Sequence, residues 1–494
     1  MDRYIFDTIA AVATPAGEGG IGIIRISGPD ALQAGRKIFS PAALNKDGGH
    51  KERYLYYGRF ADPRDASLID DGFLVHMKGP ASYTGEDVVE LHLHGGALVL
   101  KKAMGALLRA GLRAAEPGEF TRRAFLNDRL DLAQAEAVID VIRAGTGAAL
   151  ASARARLDGA LSKRVNEIKS TVADLVARIE AVLDFPEDVF PEEEGAEAGP
   201  SGPAGPAGPD KKILEEMEGS SAAIKKLINT FDEGRALREG VRVLILGRPN
   251  VGKSSLLNIL LREERAIVAP MPGTTRDVIE EAVNIKGVTA RLMDTAGLRE
   301  TADFVESIGV KAAREKIKGA GLILFVIDAS EEDYSADIKL LAGTEGKKVI
   351  IVVNKIDLVG EEKQSALKER FKGQRVEFIS AIMEKEKEKE REKEEGIEGL
   401  EEAIFEEALG RSPAPGGLSE ADRWEMITSV RHKNCLEEAV DAIERARRAV
   451  FEGLEAEFVA ADLRAALKSL GEITGEVTTE EILDRIFSEF CIGK

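Results

Sequence analysis

The amino-acid sequence predicts a protein of mixed class, α/β plus all-α, in which a second α/β unit interrupts a helical domain. Three observations predict this fold. Short β-branched runs alternate with Gly-rich turns early in the chain, helical periodicity follows, and a new series of β-branched runs begins at Val241. At about 150 residues per domain, a chain of this length is expected to hold roughly three domains.

The first segment, residues 1–120, is predicted to be a compact α/β domain. Runs such as Ile21–Ile26 and Val88–Leu93 have the composition of strands and are separated by Gly-rich turns. One helical stretch is expected in this segment, near Leu98–Ala110.

The helical domain is predicted to consist of two segments, residues 121–238 and 412–494. In both segments apolar residues recur at three- and four-residue spacing. Within the first, Glu192–Asp210 is rich in Gly and Pro and poor in apolar residues, which is typical of a flexible insert. Helices on both flanks of one α/β unit indicate that this unit is inserted into the helical domain.

The inserted unit, residues 239–411, is predicted to be a Ras-like α/β domain. In Glu384–Glu395 acidic and basic residues alternate, which indicates a solvated helical extension or a disordered loop, and no function is assigned to it. The strand candidates of the unit are Val241–Leu246, Ile279–Ile285, Val288–Met293, Leu322–Ile327, Val349–Val353 and Val376–Ile379.

Composition excludes several classes of protein. The longest apolar run, Leu322–Ile327, is far shorter than the ~20 residues that cross a bilayer, so no membrane association is expected. The two cysteines, Cys435 and Cys491, form neither a disulfide framework nor a metal-binding pair, which favours a cytoplasmic protein. A net charge of -19 argues against a protein that coats nucleic acid by itself.

A phosphate-binding motif follows the first strand of the inserted unit. Residues Gly247–Ser254 match G-x-x-x-x-G-K-[ST], with a strand before them and an apolar helix after them. The glycines allow backbone N–H groups to surround a polyphosphate, Lys253 can reach the β- and γ-phosphates, and Ser254 can bind Mg²⁺.

Further motifs follow in the order that a GTPase requires. Asp294-Thr295-Ala296-Gly297 ends one strand, where a carboxylate and a glycine N–H can approach Mg²⁺ and the γ-phosphate. Asn354-Lys355-Ile356-Asp357 ends another, and the Asp357 carboxylate can accept N1–H and N2–H₂ of guanine. Adenine lacks that pair of donors, so GTP is expected rather than ATP. Ser380-Ala381 follows the last strand.

The group that activates water is not given by these motifs. Some GTPases carry a glutamine just after Asp-x-x-Gly, but this chain has Leu298 there. Polar candidates nearby are Arg299, Glu300 and Glu306, and no arginine finger can be identified. Gly273–Asp277 can supply a threonine hydroxyl to Mg²⁺.

Together these residues resemble the family of tRNA-modification GTPases called MnmE or TrmE. Outside the GTPase motifs, the resemblance is carried by Asp7–Ala11 with Gly19–Ser27, by Pro117–Asp128 and by the terminal Cys491–Lys494. It implies an N-terminal folate-binding and dimerisation domain, a discontinuous helical domain and an inserted P-loop GTPase domain. These match the segments described above.

The resemblance also implies which ions and which residue take part in GTP hydrolysis. A K⁺ ion would stand where an arginine finger would and neutralise charge developing between the β- and γ-phosphates. Glu306, at the position of the family glutamate that orients water, would be catalytic, although a solvent-facing acid at a helix start is an equal alternative. The implied metal ligands are Asn250, Ala269, Met271 and Thr274 for K⁺, and Ser254 and Thr275 for Mg²⁺.

The motifs and the resemblance together give the complete set of residues expected to bind GTP. It consists of Asn250, Val251, Gly252, Lys253, Ser254, Ser255, Ala269, Thr274, Thr275, Asp294, Gly297, Asn354, Lys355, Asp357, Ser380 and Ala381.

This chain departs from the family pattern in two loops. The K⁺ loop contains Pro270 and Pro272, which fix φ and remove N–H donors, while carbonyl ligation survives. The guanine loop reads Ser380-Ala381-Ile382 in place of the usual Ser-Ala-Lys. Altered loop closure and altered base affinity are the expected consequences.

One strand of the N-terminal domain offers a second site. Alternation places Glu90, His92 and His94 on one face, which permits a metal triad but favours a polar pocket wall. The resemblance implies that Glu90 and Arg25 line a tetrahydrofolate pocket, with contributions from Arg129 and Lys494; surface charge is the alternative for Arg25 and Arg129.

Cys491, the first residue of the terminal Cys491–Lys494, is interpreted as a packed or bystander cysteine rather than a nucleophile.

The resemblance implies that the chain, as a homodimer, works with the flavoprotein MnmG, which uses FAD and NADH, in a heterotetrameric or larger complex. The product would be 5-carboxymethylaminomethyluridine at the tRNA wobble position, with a tetrahydrofolate-derived carbon. Two alternatives remain: a regulatory or ribosome-assembly GTPase without modification chemistry, disfavoured because no Lys/Arg-rich tail is present, and a folate-binding scaffold whose GTPase gates assembly.

Overall fold

A computed structural model gives the fold of residues 7–42, 51–184, 204–205, 208–209, 211–261, 280–293, 315–381, 395–409 and 425–494. The chain divides into two compact units. The first contains Met1–Ile139 and Leu470–Lys494, and the second contains Asp140–Ser469. The domain limits 1–120, 121–238, 239–411 and 412–494 stay predictions.

The strands, in chain order, are β1 (Ile9–Val12), β2 (Gly19–Ser27), β3 (Phe39–Pro41), β4 (Tyr56–Ala61), β5 (Leu68–Met77), β6 (Val88–Gly95), β7 (Arg113–Ala114), β8 (Ala204–Gly205), β9 (Gly208–Pro209), β10 (Val241–Leu246), β11 (Glu280–Ile285), β12 (Val288–Met293), β13 (Leu322–Asp328), β14 (Val349–Asn354) and β15 (Arg375–Phe378).

The helices are α1 (Ala31–Ile38), α2 (Ala97–Arg109), α3 (Glu119–Leu126), α4 (Leu132–Arg143), α5 (Gly147–Leu157), α6 (Ala160–Asp184), α7 (Lys211–Ile228), α8 (Phe231–Glu239), α9 (Lys253–Leu260), α10 (Ser335–Leu341), α11 (Glu361–Arg370), α12 (Glu395–Leu409), α13 (Val430–Phe451), α14 (Ala456–Thr474) and α15 (Glu480–Ser488).

The first unit is built on a seven-stranded sheet of order β3-β4-β5-β6-β2-β1-β7. Helices α1 and α2 supply Ile38, Ala103 and Leu107 to a core that they share with buried sheet residues such as Ile24 and Leu91. A separate cluster contains Ile9 and Ala11 of β1 together with Phe120 of α3. Burial of these apolar side chains fixes the register of β2 against β6, because a one-residue slip would expose them.

The expectation of one helical stretch within residues 1–120 is wrong, because α1 is also helical. Its sequence, ALQAGRKI, is short and has a glycine inside, which lowers helix propensity. The glycine allows close packing on the sheet: a Cβ at Gly35 would lie 3.1 Å from a methyl of Val89 and 3.2 Å from a methyl of Leu74. Packing against the sheet, rather than propensity, therefore makes this segment helical.

In the second unit, a six-stranded sheet has the order β11-β12-β10-β13-β14-β15. All neighbouring strands are parallel except β11, which pairs antiparallel with β12. Every residue of β13 is buried, because apolar cores lie on both faces of the sheet. The predicted strands Val241–Leu246 and Val288–Met293 are confirmed residue for residue, and the other four overlap β11, β13, β14 and β15.

The helical segments before and after the inserted sheet pack together. Helix α7 lies along α13, and the buried Arg156 of α5 donates to Asp140 Oδ2 at 2.7 Å and to Thr428 Oγ1 at 2.9 Å. Thr428 comes after the insertion and Asp140 before it, so one ion-paired arginine joins both segments. This arrangement confirms a discontinuous helical domain around an inserted α/β sheet.

Two parts of the chain that the sequence singles out are mostly outside the described residues. Of Glu192–Asp210, the structure describes β8 and β9, which pair antiparallel. Glu384–Glu395 is outside, apart from its last residue. Among the helices of the described ranges, none is long and apolar enough to cross a membrane.

Candidate functional site

The loop between β10 and α9 has a backbone that only a few residue types adopt. Gly247, Asn250 and Gly252 have φ values of 156°, 66° and 99°. A Cβ at Gly247 would lie 2.3 Å from the carbonyl oxygen of Val326, and one at Gly252 would lie 2.1 Å from Nδ2 of Asn354. Both glycines are therefore required for the loop to fit against the neighbouring strand ends.

The loop lysine folds back over the loop. Lys253 Nζ donates to the carbonyl oxygen of Arg248 at 2.6 Å. Ser254 and Ser255, in the first turn of α9, are exposed. An ammonium and a hydroxyl at the start of a helix form a suitable site for a phosphate and its metal ion.

Asn354 joins the phosphate loop, which is the segment between β10 and α9, to the loop after β15. The side chain is 1% exposed. Its Nδ2 donates to the carbonyl oxygen of Val251 at 2.8 Å, and its Oδ1 accepts from the backbone N–H of Ala381 at 3.1 Å. One buried amide thus satisfies backbone groups of two loops, so the two loops are fixed relative to each other.

Lys355 is held by an aspartate that the motifs do not include. It has a φ of 64°, and its Nζ lies 2.5 Å from Oδ2 of the buried Asp328, the last residue of β13. Burial alone raises the pKa of Asp328, but the hydrogen bonds from Lys355 and Ser330 outweigh it and lower this pKa. The sequence signal for Asp328 is a carboxylate at the end of a fully apolar strand, although its contact with Lys355 depends on strand order.

Asp357 is exposed at the edge of the same site and accepts a hydrogen bond of 2.5 Å from Ser380 Oγ. Its carboxylate can still accept from the adjacent N–H groups of a guanine ring.

A second pair missed by the motifs anchors the phosphate loop. Arg248 Nη1 lies 3.4 Å from Oδ2 of Asp337 on α10. Burial raises the pKa of Asp337, which the arginine opposes.

Seven predicted site residues lie outside the described residues: Ala269, Met271, Thr274, Thr275, Asp294, Gly297 and Glu306. Ile382 of the guanine loop lies outside as well.

In the first unit, the structure brings Arg25 and Glu90 together. They are cross-strand partners on β2 and β6, and Nη2 of Arg25 lies 2.8 Å from Oε1 of Glu90. His92 Nε2 lies 3.4 Å from Oε2 of the same carboxylate. The hydrogen bond with His92, together with the Arg25 guanidinium, outweighs burial and lowers the pKa of Glu90 to about 2.

Aromatic rings and the C-terminal tail complete the surroundings of Arg25. Its guanidinium carbon lies 5.7 Å from the ring centre of Tyr83 and 5.8 Å from that of Phe120. Its Nη1 donates to the carbonyl oxygen of Gly493 at 3.3 Å. Burial raises the pKa of Tyr83, whose hydroxyl lies 2.9 Å from Thr121 Oγ1.

The C-terminal tail reaches this site through a tight fit. Gly493 is buried with a φ of 96°, and a Cβ there would lie 2.4 Å from the carbonyl oxygen of Val12. Burial and the nearby Arg25 lower the pKa of Lys494, while Glu90 opposes that shift. The terminal lysine is therefore within electrostatic reach of the Arg25–Glu90 pair.

Arg129 has none of the contacts described above for Arg25 and Glu90. Its side chain lies beside Gly85, where a Cβ would be 3.4 Å from Cγ of Arg129, and it is exposed.

The possible metal triad of this sheet does not form. Alternation does place Glu90, His92 and His94 on the less buried face of β6, as expected. However, Nδ1 of His94 lies 2.8 Å from Oδ1 of Asp70, while Glu90 pairs with Arg25. No group of three potential metal ligands occurs within the ranges that the structure describes.

A buried ionic network anchors helix α3, which carries Phe120 and Thr121. Arg123, whose side chain is 2% exposed, pairs with Asp7, Glu86 and Glu119. The sequence motif Pro117–Asp128 contains Arg123 and Glu119, but the network could not be predicted from it, because Asp7 and Glu86 lie on separate segments.

Comparison with known proteins covers nearly the whole chain. A family model described as the MnmE helical domain matches residues 132–491, and one described as GTP-binding protein TrmE N-terminus matches residues 8–129. The tRNA modification GTPase MnmE of Alkaliphilus oremlandii is 43% identical over 491 residues, covering 99% of this chain and 100% of that protein.

The protein of the same name from Desulforamulus reducens is 44% identical over 490 residues, covering 99% of both chains. Among solved structures, the G domain of the T. maritima FeoB iron transporter matches 34% of this chain and 98% of that chain, with 34% identity and a TM-score of 0.26. The chain belongs to the MnmE (TrmE) family of tRNA modification GTPases and is an enzyme of the GTP hydrolase class.

Proposed function

We propose that this GTPase acts in forming 5-carboxymethylaminomethyluridine at the tRNA wobble position. One observation carries the proposal: relatives named tRNA modification GTPases match 99% of the chain, a length that includes both the nucleotide site and the Arg25–Glu90 site. A homodimer of the chain would work in the cytoplasm with MnmG, which would supply FAD and NADH chemistry and much of the tRNA-binding surface.

The nucleotide site is proposed to bind GTP together with Mg²⁺ and K⁺. Lys253 would exchange the carbonyl of Arg248 for phosphate oxygens, and the exposed Ser254 hydroxyl would bind Mg²⁺. Asn250, exposed on the loop, would offer its amide oxygen to K⁺. A K⁺ ion bound there would supply positive charge to stabilise the negative charge that develops on the phosphates during hydrolysis. Ala269, Met271 and Thr274 for K⁺, Thr275 for Mg²⁺ and Glu306 for water complete the proposed set.

The cation requirement is tested by GTP hydrolysis in KCl and in NaCl at equal ionic strength. We expect hydrolysis to be faster in K⁺, and the Asn250→Ala change to remove most of the difference. Asn284→Ala is a matched control, since Asn284 is an exposed asparagine that bonds the N–H of Gly287 in the β11–β12 turn. Equal rates in the two salts would contradict the K⁺ mechanism.

The Arg25–Glu90 pair fits a folate. Pterins present N–H donors, and a carboxylate kept ionised by its neighbours is a suitable acceptor for them. Arg25 and Lys494 would meet the carbonyl or carboxylate groups of the ligand, with Arg129 at a greater distance along the surface. The tail residue Gly493 would be part of the pocket wall.

Binding of tetrahydrofolate tests this pocket. Arg25→Ala and Glu90→Ala are each expected to abolish or strongly weaken binding measured by calorimetry. Arg59→Ala is the control, because Arg59 is an exposed arginine of the same sheet with a 3.5 Å contact to Asp71. Unchanged binding in both pocket variants would remove the folate assignment.

A further inference from the structure

Helix α15, which precedes the C-terminal tail, is clamped to α3 by one arginine. The buried Arg122 donates from Nη1 to Asp484 Oδ1 at 2.8 Å and from Nη2 to Glu480 Oε2 at 2.5 Å. The two carboxylates are four residues apart, so they lie one above the other on α15. A planar guanidinium bonded to both restricts rotation of α15 as well as its distance from α3.

The end of α15 also fits closely against the start of α3. Gly118 has a φ of 67°, and a Cβ there would lie 2.7 Å from the carbonyl oxygen of Phe487 and 3.0 Å from Cβ of Phe490. The N–H of Gly118 donates to the carbonyl oxygen of Cys491 at 3.5 Å. The packing of α15 against α3 therefore sets the direction in which the chain leaves α15.

This packing determines the position of the C-terminal tail, Cys491–Lys494. Nine residues after Asp484, the carbonyl oxygen of Gly493 accepts the hydrogen bond from Arg25. Helix α3 contacts the same arginine from another side, since Phe120 lies against its guanidinium. A shift of α15 relative to α3 would therefore withdraw the tail from Arg25.

We infer that Arg122 is a positioning residue that keeps the C-terminal tail, Cys491–Lys494, closed over the Arg25–Glu90 site. Arg122 acts through α15 and needs no contact with a ligand. The consequence for folate rests on the proposed function, whereas the position of the tail does not. An alternative is that the two ion pairs stabilise the packing of α15 on α3 without affecting the position of the tail.

The test uses the acidic partners, because their side chains are 58% and 66% exposed and the amides that replace them keep an oxygen that can accept from the buried Arg122 guanidinium. Glu480→Gln, Asp484→Asn and the double variant are compared with the unmodified full-length chain. Glu481→Gln is the matched control, since Glu481 is an exposed acid on the same helix. Hydrogen–deuterium exchange of the peptide containing residues 488–494 reports the tail, and calorimetry reports tetrahydrofolate binding.

We expect tail exchange in the double variant to rise by about tenfold, as local opening becomes easier, while Glu481→Gln leaves it unchanged. The dissociation constant of tetrahydrofolate should rise by about tenfold in the double variant, because a mobile tail has to be ordered on binding. Unchanged tail exchange in the double variant would overturn the inference. If the unmodified chain binds no tetrahydrofolate, the folate assignment fails, and the exchange experiment still decides the role of Arg122.

Discussion

Replacement of Asn354 by alanine tests the connection between the two nucleotide-site loops. Asn354 is 1% exposed and makes two hydrogen bonds, to the Val251 carbonyl at 2.8 Å and from the Ala381 N–H at 3.1 Å. Alanine removes both, and the two backbone groups lose a partner at the junction of the loops. Nucleotide binding then has to order loops that the free protein no longer holds together.

The size of the effect follows from the number of bonds. Each buried hydrogen bond contributes about 1 kcal/mol net, so about 2 kcal/mol of loop ordering is lost. At 1.4 kcal/mol per factor of ten, this corresponds to about a thirtyfold rise in the dissociation constant of GDP.

Titration with a fluorescent GDP analogue measures that constant directly. Asn284→Ala serves as the control, because it removes one exposed hydrogen bond from a turn of the same sheet. A dissociation constant for Asn354→Ala within about threefold of the unmodified chain, less than 1 kcal/mol, would refute the proposed coupling of the loops.

Three further predictions concern single positions. Gly252→Ala should abolish tight binding of the GDP analogue in the same titration, since a Cβ there would lie 2.1 Å from Asn354 Nδ2 at a φ of 99°. Gly493→Ala should weaken tetrahydrofolate binding in calorimetry, because the Cβ would lie 2.4 Å from the Val12 carbonyl and displace the tail. The pKa of Glu90 is lowered from 4.5 to about 2, so its ionised form stabilises the fold fully above pH 4.5 and progressively less as the pH falls toward 2. Urea unfolding of Glu90→Gln should therefore show a smaller loss of stability across that pH range than the unmodified chain shows.

Much of the inserted sheet could be predicted from the sequence because its strands are buried on both faces. In β14, for example, the buried apolar run Val349–Val353 is followed directly by the polar motif that begins at Asn354, so the limits of the strand are plain. The same logic located Asn354, Lys355 and Asp357. Helix α1 escaped prediction because its helical state depends on Gly35 meeting the sheet, a contact between distant segments.

The contacts that complete each site were beyond sequence reasoning for a related reason. Asp328 contacts Lys355 because β13 and β14 are neighbours, and sequence periodicity does not give strand order. The bond from Arg25 to Gly493 joins residues 468 positions apart. Only the resemblance of the terminal Cys491–Lys494 to the family pattern indicated that the tail matters to this site.

We propose that GTP hydrolysis and the Arg25–Glu90 site both serve tRNA modification. Mass spectrometry of tRNA nucleosides from cells that lack the gene, and from cells complemented with the unmodified chain, Asp294→Ala or Arg25→Ala, tests it most directly. We expect C5-carboxymethylaminomethyl wobble uridine to be lost without the gene and restored by the unmodified chain alone. An unchanged nucleoside profile in cells lacking the gene would rule out the modification role and favour a regulatory GTPase.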